Sequence, residues 1–356
     1  MLPPRIVLTQ EILRLISPID EFKGEWRSSG SLGAEKLQSL RRIATIESAG
    51  SSTRIEGARL SDRDVEALLR GVASESFQTR DEQEVAGYAY VTETIQAAWQ
   101  ELRLTEGILL QLHRDLLRHS EKDERHRGEW KTQPNHVAAF DADGREIGII
   151  FQTTSPFDTP RAMEELLAWH LKEETEPSLH PLLRIAVFIV VFLAIHPFQD
   201  GNGRISRVIT NLLLLRAGYA HAAYSSLESV IEHNKEAYYL ALRRTQTSLS
   251  TGTPDWEPWI VFFLRSMNAQ VERLRERIGN LSHSPVSQPG TALSPLAERL
   301  LALVHERRTL TMAEAETLTG ANRNTLKDKF RELVDAGAAT LHGKGRGAHY
   351  RPGRGV

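Results

Sequence analysis

Apolar residues recur along most of the chain at the spacing of an α-helix. Leu37, Leu40 and Ile43 follow one another three residues apart, and the apolar residues of 65–72 also repeat at helical spacing. Similar patterns predict helices over 160–172, 181–195, 204–217, 233–247 and 257–278. The second of these is apolar nearly all round, which is typical of a helix buried in a core. The pattern predicts a mainly α fold.

Strand patterns are sparse, and the clearest lies between Val137 and Thr154. Apolar residues, Phe140 on one side and most of 147–151 on the other, flank the sequence Asp-Ala-Asp-Gly-Arg at 141–145. Asp-Gly at the tip of such a segment favours a tight turn between antiparallel strands. The sequence therefore predicts one β-hairpin in an otherwise helical region.

The composition changes after residue 280. Residues 281–293 are rich in Ser, Pro and Gly and contain little that could pack, which is typical of a linker between domains. Residues 294–356 then follow the order helix, helix, turn, helix, hairpin, with Gly320 at the turn. This order resembles a winged helix-turn-helix domain.

The bulk composition is that of a soluble globular protein with two or three domains. The chain has 356 residues, of which 40 % are hydrophobic and 25 % charged, and a net charge of −2. The absence of cysteine excludes disulfides, thiolate catalysis and cysteine-ligated metal sites. The first residues lack the pattern of a secretory signal, and the apolar run 182–195, with Arg184 inside it, is too short to span a bilayer. We therefore expect a cytoplasmic location and no membrane partner.

The segment Asp-Gly-Asn-Gly-Arg at 200–204 has the features of a phosphate-binding loop. It lies between two predicted helices, where the unpaired N–H groups of a helix N-terminus face an anion. Its glycines allow close approach, and Arg204 and Arg207 add forked donors that suit phosphate oxygens. A carboxylate in such a loop would repel phosphate unless a cation lay between them. Asp200 is therefore predicted to bind Mg²⁺.

His196 stands four residues before Asp200. A histidine of ordinary pKa can accept a proton from a hydroxyl group near neutral pH. Beside a phosphate site, this property suits a general base.

Together, residues 196–207 resemble the signature of the Fic family. The matching positions are His196, Pro197, Phe198, Asp200, Gly201, Asn202, Gly203, Arg204 and Arg207, with Gln199 at a variable place. The resemblance implies an enzyme that transfers AMP from ATP to a Ser, Thr or Tyr hydroxyl of a protein and releases pyrophosphate. The resemblance covers roughly residues 60–267, and we expect a helical region over 1–104 followed by a catalytic core over 105–280.

The resemblance assigns a role to each matching position. His196 is the general base, Asp200 holds Mg²⁺, and Phe198 anchors the loop. Asn202 and the loop amides bind the α-phosphate, and the two arginines bind the outer phosphates. The implied nucleotide loop consists of Gly201, Asn202, Gly203, Arg204, Ile205, Ser206 and Arg207.

The resemblance extends on both sides of the loop. The hairpin at 137–154 is similar to the flap by which this family aligns a target peptide through backbone pairing. The paired prolines that often follow the flap are replaced by Ser-Pro-Phe-Asp-Thr at 155–159. The segment 231–242 is similar to a later helix of the family, which implies that Tyr239, and less closely Tyr238, packs near the adenine.

The upstream sequence Ser-Ser-Thr-Arg-Ile-Glu-Gly at 51–57 resembles the inhibitory motif of one class in the family. Ser52 and Glu56 are four residues apart and would share one face of a helix near 36–57. The resemblance implies that Glu56 faces Arg207 and occupies space that the γ-phosphate needs, with Gly57 completing the motif. An ordinary helix-capping pair is the alternative interpretation.

Basic residues are in excess from Gly320 to the end of the chain. The candidate DNA contacts are Arg323, Asn324 and Lys327 on the predicted recognition helix, and Lys344 and Arg346 on the wing. Acidic residues on the same helix weaken the electrostatic argument, so protein docking and a homo-oligomer stay open. Two other functions also stay open: an ATP-sensing, DNA-binding transcriptional regulator, and a Fic enzyme that removes AMP or transfers UMP or phosphocholine.

Overall fold

The computed structural model describes residues 6–28, 32–71, 77–140, 146–249, 251–283, 295–335, 338–343 and 348–353. The chain divides into two compact units, Met1–Leu281 and Ser282–Val356. Most of the predicted linker, the turn at 141–145 and the candidate contacts Lys344 and Arg346 lie outside the described residues.

The larger unit is built from helices and one hairpin, which confirms the predicted fold class. Its helices in chain order are α1 (Gln10–Ser28), α2 (Ala34–Ile55), α3 (Asp62–Arg70), α4 (Arg80–Ala98), α5 (Glu106–Leu116), α6 (Thr159–Thr175), α7 (Pro181–Ile195), α8 (Asn202–Arg216), a 3₁₀ turn (Ala220–Tyr224), α9 (Leu227–His233), α10 (Lys235–Leu249) and α11 (Glu257–His283). Across the described residues, the helices are too short or too polar to span a bilayer.

Helix α7 forms the centre of this unit. Every side chain from Leu182 to Ile195 is buried, and the helix contacts α6, α8 and α10. Pro181 at the first position has no N–H to satisfy, which suits a helix start. Burial of each large apolar side chain contributes about 1.5–3 kcal/mol. Such a helix gives a rigid base for the residues that follow it.

Capping residues determine where helices α3 and α4 begin. Ser61 and Asp64 form a reciprocal capping box at α3, and Thr79 and Glu82 form another at α4. Further along α4, a Cβ atom at Gly87 would overlap the carbonyl oxygen of Leu116. Glycine at position 87 therefore allows α4 and α5 to cross closely.

The predicted hairpin consists of strands β1 (Val137–Phe140) and β2 (Glu146–Phe151), paired antiparallel. Val137 pairs with Phe151 and Phe140 with Glu146, and the register shifts twice between these ends. Such irregularities bend and twist a strand pair. The hairpin begins and ends close in sequence to Asn135 and Thr153, which both contact the site described below.

The smaller unit has three helices and a three-stranded sheet. Its elements are α12 (Pro295–Arg307), β3 (Leu310–Thr311), α13 (Met312–Thr319), α14 (Arg323–Asp335), β4 (Ala339–His342) and β5 (His349–Pro352), with the strand order β3-β5-β4. Leu300, Leu326 and Phe330 are fully buried, and Tyr350 stacks on Phe330 with 3.8 Å between ring centroids. Gly320 ends α13 with a φ of 69°, the left-handed conformation that glycine favours. In chain order the unit therefore reads helix, strand, helix, helix and two strands.

Candidate active site

The candidate loop joins the C-terminus of α7 to the N-terminus of α8. His196 follows α7 directly with a φ of 55°, an unusual value for a residue that is not glycine. Its backbone N–H still donates to the carbonyl of Phe192 at 2.9 Å, and its left-handed backbone conformation ends the helix. Gly201, with a φ of 79°, precedes α8. These two left-handed residues turn the chain from one buried helix into the next.

Asn202 closes the loop from within. Its Oδ1 accepts from the backbone N–H of Phe198 at 2.9 Å, and its Nδ2 donates to the Phe198 carbonyl at 2.7 Å. The Asn202 side chain is buried and committed to these two bonds. The structure therefore uses it to fix the loop, while the backbone N–H groups of the first turn of α8 point out of the helix end.

Phe198 anchors the loop in the core, as the resemblance implied. It is fully buried and stacks on His113 with 3.7 Å between ring centroids and 11° between planes. Trp130 and Phe192 complete its aromatic surroundings at 5.1 and 6.3 Å.

His113 is a site residue that the sequence did not reveal. The Gly128 N–H donates to its Nδ1 at 2.9 Å, so Nε2 carries the hydrogen and donates to the Asp200 carbonyl at 3.0 Å. Burial lowers the pKa of His113 to about 4, so the ring stays neutral. His113 therefore supports both Phe198 and Asp200. It lies 87 residues before Asp200, and no local motif marks it.

His196 has the protonation state that a general base requires. Burial lowers its pKa to about 4. Its Nδ1 lies 3.3 Å from the Leu193 carbonyl, which can only accept, so the hydrogen is on Nδ1 and the lone pair on Nε2. The ring is neutral at pH 7 and can accept a proton at Nε2.

Arg207 is a buried charge of the site, with 4 % of its side chain exposed. Its Nε donates to Ser52 Oγ at 2.8 Å, and its Nη2 donates to the Ser52 carbonyl and to Glu56 Oε1 at 2.9 and 2.7 Å. Burial acts to lower the pKa of Arg207, but Glu56 together with Tyr238 and Tyr88 outweighs it and the pKa is raised. Nη1 has no hydrogen-bond partner among the residues that the structure describes. One buried donor thus stays available beside Gly203.

The Glu56 carboxylate lies at the N-terminus of α8. Glu56 follows α2 directly, and a Cβ atom at Gly203 would overlap its Oε1. Gly57 then turns the chain away with a φ of 109°. A helix N-terminus favours an anion. The chain therefore places its own carboxylate where the loop would hold a phosphate, and 34 % of that side chain is still exposed.

A second charge cluster surrounds Asp200. Arg204 Nη2 lies 3.2 Å from Asp200 Oδ1, and Arg204 Nη1 lies 3.3 Å from Glu84 Oε2. Arg80 contacts the same two carboxylates at 3.2 and 2.7 Å. Burial acts to raise the pKa of Asp200, but Arg204 and the other donors lower it overall. Arg80 and Glu84 both come from α4, and the sequence did not mark them.

The remaining candidate nucleotide residues differ in exposure. Ile205 is fully buried, and Ser206 Oγ donates to the Gly203 carbonyl at 2.7 Å. Tyr238 is buried, whereas 44 % of Tyr239 is exposed. The two tyrosine rings meet edge to face at 5.1 Å. Tyr239 is thus the one of the pair with a free surface for a ligand.

Comparison with known proteins finds similarity in the central part of the chain. Residues 103–214 match the model of the Fic/DOC family. The chain is 31 % identical over 216 residues to protein adenylyltransferase Fic of Drosophila virilis, and 30 % identical to the protein of the same name from Drosophila grimshawi. Each alignment covers 60 % of this chain and 41 % of the relative. The chain thus spans about two fifths of the length of these relatives.

Solved structures share the fold. A Fic family protein from Desulfovibrio desulfuricans superposes with a TM-score of 0.67 at 22 % identity, covering 100 % of this chain and 99 % of its own. Fic-1 from C. elegans gives a TM-score of 0.61 at 18 % identity, covering 76 % of this chain and 73 % of its own.

The Phe198 anchor can be tested by its effect on stability. Replacement of Phe198 with Ala leaves a cavity among His113, Trp130 and Phe192, so we expect the free energy of unfolding to fall by about 3–5 kcal/mol. Phe157 is the matched control, because 93 % of it is exposed and Phe157→Ala should change stability by less than about 0.5 kcal/mol. Urea unfolding measures both. Equal losses in the two variants would contradict the anchor.

Proposed function

We propose, from the premise that residues 103–214 belong to the Fic/DOC family, that this chain transfers AMP from ATP to a Ser, Thr or Tyr hydroxyl of a protein. The observation that carries the proposal is the loop itself. A neutral His196, a buried Arg207 and the N-terminus of α8 surround one anion-binding position. The relatives named protein adenylyltransferase support the same reaction.

The reaction follows from the charges at the loop. Nε2 of His196 takes the proton of the target hydroxyl, and the oxygen attacks the α-phosphorus of ATP. The bond to the bridging oxygen breaks, and pyrophosphate leaves with the electron pair. Arg204, Arg207 and the amides of α8 stabilise the negative charge that develops on the phosphates.

We assign the α-phosphate to the backbone amides of residues 202–204. The Asn202 side chain is committed to Phe198, so its contribution is to hold the loop in shape. Tyr239 is the preferred partner for adenine because its ring is exposed, while buried Tyr238 supports it from the side.

Asp200 is the proposed ligand of Mg²⁺. Among the described residues, no three His, Asp or Glu side chains gather where they could hold a metal by themselves. Mg²⁺ at nucleotide sites often takes only one or two carboxylates, with phosphates and water completing its shell. The Asp200 side chain is one third exposed and fits this role. The ion would neutralise phosphate charge when bound.

The hairpin is the proposed docking element for the target. Backbone pairing along β1 or β2 would hold an extended peptide. The segment 155–159, which differs from the paired prolines of the family, follows the hairpin directly and forms a compact turn. Ser155 Oγ donates to Asp158 Oδ2 at 2.7 Å and accepts from the Asp158 N–H. Phe157 projects from this turn into solvent.

Glu56 is the proposed brake on the reaction. Its carboxylate lies at the N-terminus of α8 and accepts from Nη2 of Arg207, a donor that ATP would need for its outer phosphates. ATP bound beside this carboxylate would meet like charge. Ser52, from the same end of α2, accepts from Nε and from the same Nη2 of Arg207. The resting enzyme is therefore expected to be nearly inactive.

Removal of the brake should raise activity. In Glu56→Gly, Arg207 no longer donates to a competing carboxylate and can bind phosphate. Because a charged hydrogen bond contributes about 1.5–3 kcal/mol, we expect the rate of AMP transfer to rise on the order of 10- to 100-fold. Incorporation of labelled AMP into the protein itself or into a target measures the rate. Glu121→Gly, at an exposed position, is the control. Unchanged incorporation in a folded Glu56→Gly protein would contradict inhibition by Glu56. Transfer of UMP or phosphocholine, or removal of AMP, would replace AMP transfer as the proposed reaction.

Replacement of His196 should lower the rate of AMP transfer without changing the affinity for ATP. In the Glu56→Gly background, His196→Ala should lower transfer by about 10²–10⁴-fold, because the hydroxyl proton has no acceptor. ATP affinity in equilibrium dialysis should stay within about threefold, since the arginines and amides remain. His196→Asn is the matched control for backbone strain, because Asn tolerates the left-handed conformation better than Ala. Full transfer by either variant would exclude His196 as the base.

DNA contact by the smaller unit is a second proposal. Arg323, Asn324 and Lys327 are all exposed on α14, while Leu326 and Phe330 on the opposite side are buried. This is the arrangement of a recognition helix. Ion pairs within the unit, including Lys329 with Glu332 at 2.7 Å, reduce the positive charge of α14. Binding is therefore expected to be modest. An ATP-sensing regulator would use this unit without transferring AMP.

Salt-dependent binding tests the DNA contact. Arg323→Ala/Lys327→Ala should weaken binding to a labelled duplex of mixed sequence and lower the salt slope by about 2, because two phosphate contacts are lost. Fluorescence anisotropy over a range of salt concentrations gives both values. Arg14→Ala, an exposed change in the larger unit, should leave them unchanged. Failure of the intact protein to bind the duplex at low salt would eliminate the proposal.

A further inference from the structure

Lys131 is a buried lysine that the reaction described above does not use. It lies between α5 and the hairpin, and 2 % of it is exposed. Lysine is almost never fully buried unless its charge has partners. Burial lowers the pKa of Lys131 to about 8, so the ammonium form still dominates at pH 7. Such a group needs an explanation in structure or function.

The ammonium of Lys131 donates to three acceptors from three separate segments. Nζ lies 3.0 Å from the Ile195 carbonyl at the end of α7, 2.9 Å from Asn135 Oδ1 and 3.0 Å from Thr153 Oγ1. Asn135 stands two residues before β1, and Thr153 stands two residues after β2. All three ammonium hydrogens are therefore used, and they connect both ends of the hairpin to the residue before His196.

Residues 131–135 also donate hydrogen bonds to backbone carbonyls of the loop. The Lys131 backbone N–H donates to the Pro197 carbonyl at 2.8 Å, and Asn135 Nδ2 donates to the Phe198 carbonyl at 2.6 Å. The last carbonyls of a helix lack partners within the helix. A positive charge at this end is also favourable for the helix dipole of α7. Lys131 and Asn135 thus donate hydrogen bonds to backbone carbonyls on both sides of His196.

This support is needed because His196 has a strained backbone. A left-handed φ for such a residue costs on the order of 1–3 kcal/mol and persists only when its surroundings hold it. The ring direction of His196 depends on that backbone. A loop free to relax at Ile195 or Pro197 would turn the ring away from the phosphate position.

We propose that Lys131 is a positioning residue: its three donors fix the left-handed turn at His196 and hold the target-docking hairpin in register with the base. Asn135 and Thr153 are the hairpin side of this contact. The role belongs to an ammonium group, because three acceptors in different directions match its three hydrogens, whereas the planar fork of Arg suits paired acceptors. Lys131 acts through His196 and touches no reacting atom.

The proposal rests on the proposed AMP transfer, so its test has one readout that is independent of turnover. In the Glu56→Gly protein, Lys131→Met removes the charge and all three bonds. We expect kcat for AMP incorporation to fall by about 30- to 100-fold, because a misplacement of the base by ~1 Å costs about 10²-fold. KM for ATP should change less than about twofold, since the phosphate contacts are untouched. Lys172→Met, an exposed change on α6, should alter neither value.

Thr153 gives a milder pair of variants in case Lys131→Met does not fold. Thr153→Val removes one acceptor without changing the shape and should lower kcat by about tenfold. Thr153→Ser restores the hydroxyl and should recover most of the loss. If Thr153→Val lowers the melting temperature but leaves kcat unchanged, the contact only stabilises the fold and the proposal is overturned.

Histidine NMR decides the proposal even if no transfer is detected. The ring signals of His196, assigned by their loss in His196→Ala, should shift or broaden in Lys131→Met or Thr153→Val and stay in place in Lys172→Met. Unchanged His196 signals in a folded Thr153→Val protein would overturn the positioning role. Absence of AMP transfer by the Glu56→Gly protein alone would instead count against the proposed reaction and leave this readout valid.

Discussion

The buried charge of Arg207 is the constraint on which the site depends. A guanidinium that is almost entirely removed from water must have an anion or several acceptors close to it, because an unpaired buried charge is very unfavourable. Ser52 and Glu56 supply those partners from the end of α2. A phosphate group would supply the same charge from a ligand. In the proposed reaction the phosphate would take the space of the Glu56 carboxylate, so one arrangement would account for both the stability of the resting protein and its expected low activity.

The loop between α7 and α8 is held from three sides. Phe198 and His113 stack below it, Asn202 closes it from within, and Lys131 and Asn135 satisfy its outward carbonyls. The buried helix α7 gives these contacts a rigid base. A strained residue can persist at position 196 because its neighbours are held so completely. The loop therefore needs little reorganisation to present a base and an anion site together.

The two charge clusters at the site differ in how easily one of their ion pairs can be broken. Around Asp200, Arg80 and Arg204 alternate with Glu84, so each charge keeps a partner if one contact is broken. Around Arg207, Glu56 is the one carboxylate that the described contacts show, and its side chain is partly exposed. A contact at the end of a helix with access to solvent can be displaced at lower cost than a buried network. This difference supports the proposal that the contact between Glu56 and Arg207 controls activity.

The sequence by itself determined the elements and the chemistry that depend on neighbours along the chain. Helical periodicity predicted α7 at 181–195, Asp-Gly predicted the hairpin, and the order of residues from His196 to Arg207 indicated a phosphate loop. Apart from Ser52 and Glu56, only the tertiary structure decided which distant residues complete the site. His113, Glu84 and Lys131 lie far from the loop in sequence and carry no motif, and the Asn202 side chain proved to bind the loop rather than face outward. Local order fixes backbone conformation and residue type within a few positions, whereas partners for buried charges and carbonyls are set by how whole helices pack.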